Sequence, residues 1–374
     1  MVKNNLPGLR ILNRPEPLRL GFLPVNDCAP LVVAHELGYF DKYSLKVVLQ
    51  REQSWAAIRD GITENELDAA QAPAPMPVTM SLGVNSELCM CVTGLVLSLS
   101  GNAITLSQQL WREGGHHPLG LAERMARKPR LTFAVPQMDS VQAFLLRRWL
   151  GMTGLEPDVK VRLIILPPAQ MFPNLKLGNI DGFCVDEPWN SVAVQAGVGV
   201  CVATSSQLMP LHPEKVLLAR ESFAESRPDE HERLIAALIE AGAFCDQPKN
   251  RRVVARLLAQ REYVNAPMEA LEPGLVGPFS SWNDRARCPM GLNVFSRYLA
   301  GEPSRAKLKW ILDQLCEPRP AGCGFVRAPL EQLAREIYRL DIFRRAQKLV
   351  AACGTSQNIL PDAEAFPQGE RMVA

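Results

Sequence analysis

Residues 160–190 read KVRLIILPPAQMFPNLKLGNIDGFCVDEPWN, and this stretch settles the fold class. Lys160–Leu166 is an apolar, β-branched run of strand length that stops at Pro167-Pro168, where a ladder cannot continue. Ala169–Leu177 follows as a helix, Asp181–Val185 as a second short strand, and Glu187–Ala196 as another helix. Strands alternating with helices imply an α/β protein with a largely parallel sheet. The same alternation extends upstream. Strands are expected at Leu18–Leu23, Leu45–Leu49, Leu67–Ala72 and Arg130–Ala134, and helices at Ala29–Gly38, Trp55–Gly61, Val78–Leu82 and Ser140–Gly151. Cys89–Leu97 (CMCVTGLVL) reads as one buried strand. SLSGNAI (98–104) reads as a polar break, with helical segments at 105–112 and 119–127. From about residue 226 the pattern turns helical, at Glu230–Phe244, Asn250–Gln260 and Leu330–Val350, while residues 1–15 and 351–374 read as disordered tails.

Composition narrows the function classes. The 374 residues are 47% hydrophobic and 21% charged, as in globular domains. Lys+Arg 41 against Asp+Glu 39 gives +2, and aromatics are 6%, so direct nucleic-acid binding by this chain is not expected. No apolar stretch reaches the roughly 18 residues of a membrane span, so no membrane insertion is expected. The N-terminal segment lacks an apolar signal region; if residue 1 is the native start, the expected location is the cytoplasm. The ten dispersed cysteines read as reduced, mostly buried thiols. No nucleophile elbow, P-loop, H-E-x-x-H or dinucleotide fingerprint is present, and none of the five histidines sits in a metal-ligand spacing. Asp186-Glu187, at a strand end, could be an acid–base pair or a helix N-terminal turn complementing the macrodipole; the latter is favoured. Neither an enzyme nor a cofactor or metal is expected.

Several strings carry a resemblance: GFLPVNDCAPLVVAHELGYFDKYSL (21–45), SWAAIRDGI (54–62), LDAAQAPAPMPVTMSLG (67–83), LPPAQMFPNLKLGNIDGFCVDEPWN (166–190) and HPEKVLLAR (212–220). In this order they resemble the nitrate/bicarbonate-binding proteins of ABC importers and their soluble relatives. FVRAPLEQLAREIYRLDIFRRA (325–346) looks like the ending of the cytoplasmic branch, the NasS-type nitrate/nitrite sensor. The resemblance implies a two-lobed type II periplasmic-binding-protein-like fold with a helical C-terminal region. Lobe one would take residues 16–98 and 206–350, lobe two residues 99–205, with the ligand between them.

It also implies a site. The Trp of the S-W motif falls on Trp55; a half-buried core tryptophan is the alternative, and its place after a capping Ser in a polar stretch favours the site. The Lys of H-P-E-K falls on Lys215, otherwise a surface lysine. The importers' N-G-Q string is Ser100-Gly101-Asn102 here, so Asn102 offers a shorter amide; a position often His in the family is Gln142, a neutral donor. Gln71, on the D-A-A-Q strand end, is a further neutral donor. Glu187 and Trp189 match the family's E-P-W motif, with Glu187 expected to orient other groups, since a bare carboxylate repels an anion. The expected function is a small-anion (nitrate or nitrite) sensor that regulates an RNA-binding, NasT-type antiterminator of nitrate assimilation. The alternative is an ABC-transporter binding component for nitrate, bicarbonate or a related anion.

Overall fold

The computed structural model describes residues 16–84, 87–114, 123, 127, 130–153, 161–279, 281, 291–317 and 327–353. The chain first builds β1 (Leu18–Phe22), α1 (Ala29–Glu36), α2 (Tyr39–Lys42), β2 (Val47–Arg51), α3 (Trp55–Thr63), β3 (Ala69–Pro73), α4 (Met76–Ser81), β4 (Cys91–Val92) and β5 (Val96–Ser100). It then forms β6 (Asn102–Ser107), α5 (Gln108–Glu113), β7 (Leu131–Val135), α6 (Val141–Met152), β8 (Val161–Ile165), α7 (Pro168–Lys176), β9 (Gly182–Asp186), α8 (Trp189–Gln195) and β10 (Gly199–Thr204). After α9 (Ser205–Leu208) come β11 (Pro213–Arg220), α10 (Glu221–Ser226), α11 (Pro228–Asp246), α12 (Arg251–Leu258), α13 (Met268–Leu275), β12 (Asn293–Val294), α14 (Arg305–Leu315), α15 (Arg327–Ile337) and α16 (Leu340–Ala352).

Two sheets result. One runs β12-β5-β11-β3-β1-β2, with β4 also paired to β11; the other runs β10-β6-β9-β7-β8. In each, strands joined by helices pair in parallel: β1 with β2 and β3, and β7 with β8 and β9. The two strands of residues 161–186 therefore flank β7 rather than each other. Strands arriving from the other sheet pair antiparallel: β11 with β3 and β5, and β6 with β9 and β10. The chain passes between sheets at Gly101 and again over residues 205–212.

Each sheet has its own core. In the first lobe, Leu20 and Phe22 of β1 pack with Leu31 and Val32 of α1 and with Leu234, Ile235 and Leu238 of α11. In the second, Phe133 and Val135 of β7 pack with Leu145, Leu146 and Trp149 of α6. Removing one such side chain from water stabilises the lobe by about 1.5–3 kcal/mol.

Four segments differ from the sequence reading. Cys89–Leu97 is not one strand: β4 and β5 are separated where Thr93 leaves the ladder to bridge Tyr338. That bridge also divides the helix expected over 330–350 into α15 and α16, because Arg339 N–H donates to Thr93 O. The polar stretch 98–104 is the end of β5 and the start of β6, fully buried; its polar side chains serve the space between the lobes. The helix expected at 105–112 starts only at Gln108, since Thr105–Ser107 stay in β6. The helix expected at 119–127 falls largely outside the described residues. Cys28, Cys89, Cys91, Cys184 and Cys245 are free and buried, and Cys201 is buried as well.

Candidate functional site

The deepest polar cluster lies where the two sheets meet. Gly101, at φ +97°, turns the chain from β5 into β6. A Cβ here would come within 2.3 Å of Asn293 Nδ2, so only glycine fits. Directly after it, Asn102 opens β6 opposite Asp186, the last residue of β9. From the first lobe, β11 brings Glu214 and Lys215, with Lys215 facing Pro73 of β3 and Ser98 of β5. Ser54 caps α3 by accepting from Ala57 N–H, placing Trp55 in the first turn. Ser140 caps α6 in the same way and places Gln142 there.

Lys215 is the hub, and it is fully buried. Its Nζ donates to Asp186 Oδ1 at 2.6 Å and Glu214 Oε1 at 2.5 Å, and lies 3.4 Å from Asp27 Oδ2. The Trp55 ring centroid is 5.2 Å from the same Nζ, a cation–π contact. Gln142 Nε2 donates to Asp186 at 2.9 Å and Glu214 at 2.8 Å. Asn102 Nδ2 donates to Glu214 Oε2 at 2.9 Å, and Asn293 Nδ2 to Asp27 Oδ1 at 2.8 Å. His212 Nδ1 stands 3.5 Å from Glu214 Oε2, its ring stacked on Trp310 with centroids 5.6 Å apart.

Three carboxylates therefore surround one ammonium in a space sealed from solvent. Burial disfavours the ammonium, but Asp186, Glu214 and Asp27 outweigh it and hold Lys215 protonated, above its ordinary range. Burial pushes Glu214 up to about 8, against the opposing pull of Lys215. Burial likewise pushes Asp27 up to about 7, again opposed by Lys215, while Asp186 adds to the rise. Burial lowers His212 to about 4, so it is neutral at pH 7.

Trp55, Asn102, Gln142 and Lys215 are thus brought together from both lobes. The Asn102 and Gln142 amide nitrogens are given to carboxylates, and their amide oxygens, Oδ1 and Oε1, have no protein partner. Gln71 sits on β3, two residues before the proline that faces Lys215. Its Oε1 accepts from Leu23 N–H at 3.1 Å, and its Nε2 is buried without a partner, as is Trp55 Nε1. Glu187 faces Ser191, whose hydroxyl donates to its Oε2 at 2.5 Å; its backbone links the lobes, accepting from Asn26 N–H at 2.7 Å. Trp189 also bridges the lobes, its Nε1 donating to Pro24 O at 3.1 Å.

The sequence reading omitted Asp27, Glu214 and Asn293 from the site and treated Asp186 as a turn residue. The acid directly before the lysine in H-P-E-K was the available signal for Glu214. Asn293 had none, since it comes from a two-residue strand 78 positions away. Among the described residues, no group of three His, Cys, Asp or Glu is arranged to hold a metal ion. A cavity of 680 Å³ elsewhere in the first lobe is lined by Leu95, Leu238, Phe244 and Phe343. Its Asp246 is committed to Arg251 and to the backbone N–H groups of Phe295, Ser296 and Arg297.

Comparison with known proteins agrees with this architecture. The profile of the NMT1-like family matches residues 13–259. The chain is 40% identical over 346 residues to the nitrate import ATP-binding protein NrtC of Synechocystis sp., covering 91% of this chain and 50% of that protein. It is 31% identical over 274 residues to the bicarbonate-binding protein CmpA of Synechococcus elongatus, covering 70% of this chain and 60% of that one. The chain spans about half the length of the import ATP-binding relatives it matches. Its fold superposes on the periplasmic nitrate-binding protein NrtA from Synechocystis PCC 6803 with TM-score 0.83 at 26% identity, covering 91% of each chain. The aliphatic sulphonate-binding protein SsuA from Escherichia coli gives TM-score 0.56 at 16% identity, covering 89% of this chain and 92% of that one. The two sheets are therefore the lobes of a periplasmic-binding-protein fold, and the chain belongs to the NMT1-like family.

Proposed function

We propose that the chain binds a small planar oxyanion, of the nitrate, nitrite or bicarbonate class, between its lobes, and that lobe closure reports occupancy to a partner protein. The observation that carries this reading is the convergence of both lobes on Lys215, beside buried donors that no protein group uses. Trp55 Nε1 and Gln71 Nε2 are such donors on the first lobe. A buried N–H without an acceptor is costly, and an anion that accepts from these groups while sharing the lysine recovers that cost. Because Asp186, Asn102 and Gln142 come from the second lobe, the shared network forms only when the lobes are together. The anion then favours the closed state by its differential affinity. A switch from 1:99 to 99:1 requires roughly 5.5 kcal/mol of it.

In this reading the chain is a cytoplasmic sensor that makes and breaks no bond, and its partner is an RNA-binding antiterminator of the NasT type. Support comes from the resemblance of residues 325–346 to the sensor branch. A second reading, a binding module coupled to an ATP-driven importer, is favoured by the 40% identity to half of a nitrate import ATP-binding protein. Isothermal titration of the chain with nitrate, nitrite and bicarbonate tests the shared part. Saturable binding of at least one is expected, and silence toward all three would refute it. Nitrate-dependent release of the antiterminator favours the sensor. Nitrate-dependent change in an importer's ATP hydrolysis favours the second reading.

A further inference from the structure

A bare anion is a poor fit to this site with all three carboxyl groups ionised, because they carry more negative charge than the one lysine balances. We propose that a monovalent anion binds with Glu214 protonated, so that one proton enters with it wherever Glu214 is ionised in the free protein. The proposal rests on the oxyanion reading above.

Two N–H bonds of Lys215 are given to Asp186 and Glu214, and Asp27 Oδ2 stands 3.4 Å away without a hydrogen bond. An anion that takes one of these N–H bonds displaces a carboxylate and adds a further negative charge where solvent exposure is zero. An uncompensated buried charge is expensive, and one proton removes the excess. The titratable groups facing this point are Asp27 from the turn after β1, Cys184, Asp186 and Glu187 from β9, and His212, Glu214 and Lys215 around the start of β11. His212 is kept neutral by burial and does not take the proton. Burial holds the Cys184 thiol well above its ordinary range, so it is already protonated. Asp186 accepts from both Lys215 and Gln142 and stays as the lysine's counter-ion. Glu187 is turned to Ser191, and Asp27 keeps the Asn293 amide.

Glu214 accepts from a reversible amide on each oxygen, Gln142 on Oε1 and Asn102 on Oε2, whereas Asp27 has one, Asn293 on Oδ1, whose own Oδ1 is also unpartnered. Glu214 Oε2 accepts from Asn102 Nδ2, while Asn102 Oδ1 has no partner. A half-turn of that amide presents Oδ1 to a proton on Oε2, and Gln142, whose Oε1 is also unpartnered, can adjust in the same way. The balance is simple: carboxylate, proton and anion give the carboxylic acid with the anion bound. Only an O–H bond forms, and the net charge of the site does not change.

The sign follows. Anion binding raises the Glu214 pKa further above its ligand-free value of about 8. Binding therefore takes up little proton at pH 7 and close to one at pH 9. Affinity is flat below about pH 8 and falls roughly tenfold per pH unit above it. The test is calorimetric titration of the full chain with potassium nitrate, which does not titrate in this range, in two buffers of different ionisation enthalpy at pH 7 and pH 9. Glu214→Gln is run alongside. The proposal expects uptake rising to about one proton at pH 9 and a weaker nitrate Kd there, with both effects absent in E214Q. Saturable nitrate binding with the same Kd at both pH values and no proton uptake overturns it while leaving the oxyanion reading intact. Full wild-type uptake in E214Q overturns the choice of Glu214. Silence toward nitrate at either pH, and toward nitrite and bicarbonate run in its place, with no anion-induced rise in Tm, overturns both. The buffer comparison on the wild-type chain needs no variant to fold.

Discussion

Among the described residues two lysines are buried, and they are treated in opposite ways. Lys215 is held between the lobes by three carboxylates, which keep it above its ordinary pKa. Lys307, in the first turn of α14, donates instead to the backbone carbonyls of Leu299, Ala300 and Glu302 at 2.6, 3.0 and 2.7 Å. Burial lowers Lys307 to about 8, with only the Glu302 charge opposing. Carbonyl dipoles satisfy hydrogen bonds but cannot gain or lose a proton. Lys307 therefore pins a segment in which Tyr298 and Leu299 both adopt positive φ. Carboxylates can exchange both proton and partner. The difference separates a structural lysine from one whose surroundings can respond to a ligand.

The largest break in this comparison is Lys215→Ala. It strands three carboxylates, and removing one partner of a buried ionic network costs about 3–5 kcal/mol. Saturable anion binding should vanish, and the loss in Tm should shrink as pH is lowered and the carboxylates take up protons. Thermal melts at pH 6 and 8, alongside nitrate titration, check both; a variant that still binds nitrate removes Lys215 from the site.

Lys307→Met should destabilise less, by about 1–3 kcal/mol, because it leaves buried carbonyls unpaired without stranding a charge. Its nitrate affinity should match the wild type. A clear loss of binding would mean the two lysines are not separable.

The wild-type chain without ligand should itself lose stability as pH rises. Asp27 and Glu187 at about 7 and Glu214 at about 8 bind protons more tightly when folded than unfolded. Their contribution is full below about pH 4 and is lost as pH climbs to about 8. Above that, Lys307 works the other way: its folded pKa of about 8 lies below the unfolded value, so its burial penalty eases between about 8 and 10.5. Between about pH 4 and 6.5 the buried His212 and His231, lowered to about 4, oppose this loss, since the unfolded chain binds their protons. Chemical denaturation from about pH 6.5 to 8 therefore reads the carboxylate part, and stability rising over that range would contradict it.

The smallest effect belongs to Trp55→Phe. It keeps an aromatic face under Lys215 but deletes the unused N–H, so anion affinity should weaken by about 0.5–1.5 kcal/mol, the net worth of one hydrogen bond. Calorimetric titration against the wild type reads it, and an unchanged Kd would make Trp55 a core residue only.

The strands that alternate with helices were legible because their signal is local. The β8 and β9 boundaries lie within a residue or so of the apolar runs that foretold them, and the Ser54 and Ser140 caps stand where a serine precedes a helical pattern. Where a long-range contact overrode the local pattern, the reading failed: Thr93 breaks one strand and one helix by bridging to Tyr338. The polar run 98–104 misled for a related reason. Its residues are polar because they line a buried site, and from sequence alone that cannot be told from a solvent-facing loop.

What the sequence by itself determined is the α/β alternation, because helix periodicity and capping are written in neighbouring residues; Trp55, Asn102, Gln142 and Lys215 were singled out through the family resemblance alone. Only the tertiary structure decided what surrounds that lysine. Asp27, Asp186, Glu214 and Asn293 come from four separate segments, and whether a carboxylate is a solvated turn residue or a buried counter-ion depends on how much water the folded lobes exclude. That exclusion is a property of the packed whole, and it sets the charge and proton chemistry on which the proposed function depends.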